Sequence, residues 1–193
     1  VPGSRLVDAP PHGQTVDDVL KIAKDYELVI MHTSTPSLAN DVKCAEAIKQ
    51  QNPNVQVGFV GAHVAVLPGE TLQENPVIDF VCRNEFDYTC KELAEGKPWD
   101  EIKGLSYRDK LGNIHHTEER ALIHDWDAMP SVLPVYARDL DISKYFIGYL
   151  QHPYISFYTG RGCPAKCSFC LWPQTIGGHL YRHKSPDAVG REM

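Results

Sequence analysis

Three apolar runs, each followed by a breaker and a helix-like stretch, restrict this chain more than any other feature. They are Leu28-Val-Ile-Met31, Val55 to Val60 and Ile78 to Cys82. Strands this apolar throughout belong in a sheet covered by helices on both faces, since a half-exposed strand would alternate. Between them, Thr15 caps a helix running to Tyr26, with Val19, Leu20, Ile22 and Ala23 as its apolar stripe. Asp41 to Gln51 reads as a second helix ended by Asn52-Pro53, Glu70 to Glu74 as a short third, and Phe86 to Ala94 as a fourth closed by Gly96. Arg5 to Val7 reads as a leading strand, and Gly104 to Arg108 with Ile114 to Thr117 as a hairpin turning at Lys110-Leu-Gly-Asn113. Repeated strand–helix units of this kind predict a doubly wound, Rossmann-like α/β sheet over residues 1–120.

Ligands in such sheets bind beyond the carboxyl ends of the strands. The loops predicted there are Asp8 to Gly13, His32 to Ser37, Gly61 to Pro68 and Arg83 to Asp87, rich in small and hydroxyl residues. None holds the G-x-G-x-x-G of a dinucleotide site. Residues 121–153, with Met129-Pro130, Leu133-Pro134 and several aromatics, are too apolar for a flexible linker and read as an ordered connector.

A net charge of −6 over 193 residues, with scattered basic residues, gives no nucleic-acid footprint. No apolar run approaches the ~20 residues that span a bilayer. The cysteines are crowded and no secretory signal is visible, so reduced thiols in the cytosol are expected rather than disulfides.

Residues 154–193 carry the densest chemistry. After the alternating segment Tyr154 to Tyr158 comes Thr-Gly-Arg-Gly-Cys-Pro-Ala-Lys-Cys-Ser-Phe-Cys, which spaces Cys163, Cys167 and Cys170 as C-x3-C-x2-C. Three thiolates this close can hold three corners of an iron–sulfur cubane and leave one iron open for chemistry. Half of a zinc ribbon and inert thiols are the competing readings; a zinc ribbon lacks its second pair, and a ferredoxin cluster wants a shorter first gap.

This spacing, with Phe169 just before the last cysteine, resembles the signature of the radical S-adenosylmethionine (SAM) enzymes. The resemblance implies a [4Fe-4S] cluster on Cys163, Cys167 and Cys170, S-adenosylmethionine on the open iron, and the backbone at Phe169 near the adenine. It implies a 5′-deoxyadenosyl radical that takes a hydrogen from substrate, with an electron donor such as flavodoxin or ferredoxin. It also implies a (β/α) barrel starting at Tyr154. A closed barrel takes ~200 residues, so the chain is expected to be a segment of a longer enzyme. The loops of the first 120 residues resemble the cobalamin-binding domain found ahead of the barrel in one class of these enzymes. By that resemblance Ser34, Thr35, Gly61, His63 and Glu85 are candidate cobalamin contacts, with His63 alternatively a plain loop histidine. The Asp-x-His-x-x-Gly motif of methyl-transfer cobalamin domains would place Pro10 on cobalt, which cannot ligate, and leaves His12 a weak rival.

Finally, Asp8 to Gly13, His32 to Ser37, Val135 to Leu140, Ile147 to Leu150 and Cys170 to His179 resemble the hopanoid-biosynthesis-associated radical SAM family. That implies a cytoplasmic enzyme, associated with the membrane through a lipid substrate, converting a hopanoid amino-sugar ether to its cyclitol ether. A radical SAM C-methyltransferase on another substrate is the alternative, as is a cobalamin-binding or iron–sulfur module without activity of its own.

Overall fold

A computed structural model describes residues 1–193 apart from the side chain of Gln174, so that position of the family-like Cys170–His179 stretch lies outside the described residues. One sheet organises the first part of the chain. Strands β1 (Leu28–His32), β2 (Gln56–Val60), β3 (Phe80–Cys82), β4 (Leu105–Arg108) and β5 (Ile114–His116) lie side by side in that order. The pairs β1–β2 and β2–β3 are parallel, and β3–β4 and β4–β5 are antiparallel. The Rossmann-like α/β fold read from the apolar runs is therefore present. Among the described strands the order runs without a reversal.

Helices cover both faces, as fully apolar strands require. On one face Val57 and Phe59 of β2 and Val81 of β3 meet Ala23 of α1 (Val16–Ala23) and Ala45 and Ile48 of α2 (Leu38–Gln51). Val64 of α3 (Ala62–Val66) and Leu72 of α4 (Pro68–Glu74) complete that layer. On the other face Val60, Phe80 and Cys82 pack with Leu93 of α5 (Asp87–Ala94), Ile102 and Leu105. Gly58 makes this second layer possible: a Cβ there would lie 2.0 Å from the Phe80 ring. The start of α1 is held by Asp18, whose carboxylate accepts the Thr15 N–H at 3.0 Å and its hydroxyl at 2.8 Å.

Three expectations are corrected. Arg5 to Val7 is not a strand; the Leu6 N–H instead donates to Asp139 of α6 (Leu133–Asp139) at 2.7 Å. Gly61 to Pro68 is largely helical, because buried Val64 draws the chain after Gly61 into α3. Tyr154 to Tyr158 forms no strand either, and the nearest ladder is the antiparallel pair β6 (Gly160–Arg161) and β7 (Arg182–His183). A strand needs a neighbour for its backbone groups, which alternation alone does not supply. Helix α7 (Pro186–Glu192) follows, capped by the Ser185 hydroxyl.

The connector folds back against the sheet domain. Tyr145 donates its hydroxyl proton to Asp8 at 2.6 Å, and Ile123 donates its N–H to Glu85 at 2.7 Å. No helix among the described residues is long and apolar enough to cross a membrane.

Candidate functional site: an edge of loops and a cysteine segment

Because β1, β2 and β3 are parallel, their carboxyl ends bring His32 to Ser37, Gly61 to His63 and Arg83 to Asp87 to one edge of the sheet. The first two loops are locked together. The Thr33 N–H donates to the Val60 carbonyl at 2.8 Å, extending the β1–β2 ladder by one bond. Gly61 follows with φ +117°, and a Cβ there would lie 2.2 Å from the Thr33 carbonyl oxygen. Only glycine allows the two backbones to approach so closely. Buried Thr33 donates its hydroxyl proton to Asp41 at 2.7 Å, while Ser37 accepts the Ser34 N–H at 3.0 Å.

These bonds leave Thr35 projecting, and its hydroxyl meets His63 Nδ1 at 3.1 Å. Thus Ser34, Thr35, Gly61 and His63, chosen from sequence as cobalamin contacts, form one contiguous patch. Glu85 does not join it as a free group. It is 2% exposed, and both carboxylate oxygens accept from Arg182 Nη1 at 2.8 Å. With the Ile123 N–H on Oε2 as well, the buried carboxylate accepts three hydrogen bonds from within the protein. The structure thus gives Glu85 a protein partner in place of the ligand contact read from sequence. His12 is likewise occupied. The Asp141 N–H donates to its Nε2 at 2.9 Å, so Nδ1 carries the proton donated to the Asp8 carbonyl at 2.7 Å. No ring nitrogen is left for a metal.

The cysteine segment is closed at its neck by glycines. Gly162 has φ +85°, and a Cβ on it would lie 2.0 Å from the Leu180 carbonyl oxygen. Gly177 sits against Gly162, and the Cys163 N–H donates to the Gly178 carbonyl at 3.2 Å. Within the loop the Cys170 N–H donates to the Cys167 carbonyl at 3.1 Å. All three cysteines are free thiols; Cys167 is exposed and the other two half-buried. Phe169 is 91% exposed, with its side chain turned outward. Among the described residues no three His, Cys, Asp or Glu side chains are gathered as a metal site. The donor chemistry nevertheless fits an iron–sulfur cluster: three unpaired thiols lie on one loop whose ends are fixed and whose interior holds few bonds. A short π-helical turn at Pro173–Gly177, just past Cys170, packs against α3, which carries His63. The loop edge and the cysteine segment therefore adjoin.

Arg161 and Arg182, on β6 and β7, tie the two together. Arg161 grips Asp87 with Nη1 at 2.6 Å and Nη2 at 3.2 Å, under the Trp126 and Tyr158 rings at 4.9 and 5.6 Å. Burial opposes its charge, yet the Asp87 carboxylate raises its pKa above the ordinary value. Arg182 was not legible in the sequence: it lies 97 residues from its partner Glu85, and no local pattern links them.

Residues 5–94, which hold the first three strands and these loops, match the family model of the B12 binding domain. Over 98% of its length the chain is 33% identical to an uncharacterized methyltransferase, PH0819, of Pyrococcus horikoshii, of which it spans 41%. It is 26% identical, over 68% of its length, to the cobalamin-dependent radical SAM methyltransferase TokK of Streptomyces tokunonensis, and covers 20% of that protein. Its backbone superposes on the cobalamin-dependent S-adenosylmethionine radical enzyme OxsB with a TM-score of 0.71 at 18% identity, covering 97% of this chain and 25% of that one.

Proposed function

We propose that this chain supplies the cobalamin-binding domain and the cluster-binding cysteines of a radical SAM C-methyltransferase. The observation that carries the reading is the packing of the π turn beside Cys170 against α3. It sets a three-thiol loop next to the strand-end loops of a domain that matches the B12-binding family. The methyltransferase names of PH0819 and TokK favour this alternative over hopanoid ring contraction.

Cys163, Cys167 and Cys170 would ligate the cluster, and the hydroxyls of Ser34 and Thr35 with His63 would line the cobalamin side. When bound, the two cofactors and S-adenosylmethionine supply one-electron reduction and a transferable methyl group. The chain's own part is placement. Gly61 lets the β1 and β2 loops close on one another, and Thr35 hydrogen-bonds the ring of His63. The glycine neck at residues 162 and 177 holds the ends of the thiol loop together.

Assay of the intact protein under anaerobic, reducing conditions tests this through the fate of S-adenosylmethionine. Methyl transfer leaves S-adenosylhomocysteine, and radical cleavage leaves 5′-deoxyadenosine. Both are expected, with 5′-deoxyadenosine lost in Cys170→Ala. Release of 5′-deoxyadenosine alone would contradict methyl transfer, and its persistence in Cys170→Ala would contradict the cluster assignment.

A further inference from the structure

We propose that Glu85 and Asp87 are positioning residues that set where the three cysteines stand relative to the loops of the B12-binding domain. The proposal rests on reading Cys163, Cys167 and Cys170 as cluster ligands. Both acids follow β3, on the edge that carries Thr35 and His63. Their two partners flank the cysteines: Arg161 on β6 just before them, Arg182 on β7 after the π turn that follows them. One short loop therefore holds both arms of the cysteine segment.

The grip reaches almost to the first thiol. Arg182 spans Glu85 and the Gly177 carbonyl, donating from Nη1 at 2.8 Å and Nη2 at 2.7 Å. Gly177 in turn abuts Gly162, so closely that a Cβ on Gly177 would lie 2.5 Å from the Gly162 nitrogen. Cys163 is the next residue. Arg182 also donates to the Ile123 carbonyl at 2.7 Å, and Ile123 returns its N–H to Glu85, which draws the connector into the same knot.

A buried ion pair adds little net stability compared with apolar packing, because desolvation offsets the attraction. Glu85 and Arg182 are 2% and 4% exposed at their side chains, so stability alone is a weak reason for them. What the pair does supply is geometry: charge-assisted bonds fix two segments in one register. Arg161 adds a second anchor through Asp87, at 15% and 23% side-chain exposure, and its Nη1 also lies 3.8 Å from Glu85.

The test uses the intact protein and the variant Glu85→Gln, which keeps the shape and removes the charge. In cofactor-free protein, hydrogen exchange across residues 162–181 should quicken by about ten-fold while β1 to β3 stay as protected as before. Should the sheet itself open in Glu85→Gln, Asp87→Asn decides, since its pair is more exposed; Asp87→Glu should restore slow exchange. In cofactor-loaded protein, the magnetic coupling between Co(II) cobalamin and the reduced cluster should weaken or broaden in Glu85→Gln, at unchanged iron and cobalt content. Unchanged exchange in both Glu85→Gln and Asp87→Asn overturns the proposal, as does unchanged coupling in a variant that keeps both cofactors. Wild-type protein that retains neither iron nor cobalamin sinks the methyltransferase reading instead, and exchange still decides the latch.

Discussion

His116 shows how a single side chain sets a pH response here. Arg83 Nη1 donates to the Ser106 oxygen at 2.6 Å, and that hydroxyl lies 2.8 Å from His116 Nδ1, so the guanidinium charge sits close to the imidazole. Partial desolvation, the Arg83 charge and the neighbouring His115 all lower the His116 pKa from the usual 6.5. The unfolded chain then binds a proton that the folded one resists, so stability falls as pH drops through about 6.5. Urea midpoints at pH 7.5 and 5.5 should differ less in His116→Gln than in the wild type. A variant that keeps the whole difference would contradict this assignment.

At the scale of elements, the join between the β1 and β2 loops depends on Gly61. An alanine there needs φ near +117° and places its Cβ 2.2 Å from the Thr33 carbonyl oxygen. Backbone in that region costs about 1–3 kcal/mol for a residue with a side chain, before any clash is relieved. Gly61→Ala should therefore lose at least ~2 kcal/mol in urea unfolding with its slope unchanged; a loss within ~0.5 kcal/mol would show that the loops are not locked as described. The sequence made this element scale mostly legible. Val55 to Val60 declares a buried strand by composition alone, and Asp41 to Gln51 falls inside the observed α2; Leu28 to Met31 forms β1 as read but, at the sheet edge, is only half-buried. What stayed hidden depended on partners distant in sequence. Arg5 to Val7 has strand-like residues but bonds to α6, and α3 reads as loop because only the fold buries Val64.

For the whole molecule, the candidate site was legible in its parts and hidden in its assembly. Cys163, Cys167 and Cys170 stand out by spacing, and Thr35 and His63 by the kind of loop that holds them. Glu85 has the residue type of a ligand contact but spends its carboxylate on Arg182 and Ile123. No local pattern foretells a bond spanning 97 residues. The connector's role was similarly invisible: Tyr145 on Asp8 and Ile123 on Glu85 make it a strap across the domain rather than a spacer.

The central claim is that one molecule holds cobalamin on the loop edge and an iron–sulfur cluster on the three thiols. Iron and cobalt content of the intact protein, reconstituted anaerobically with excess cobalamin, tests it most directly, alongside Cys170→Ala. The account predicts about one cobalt and about four irons per chain, with the variant losing the iron and keeping the cobalt. Wild-type protein without cobalt, or Cys170→Ala with its iron intact, would contradict it.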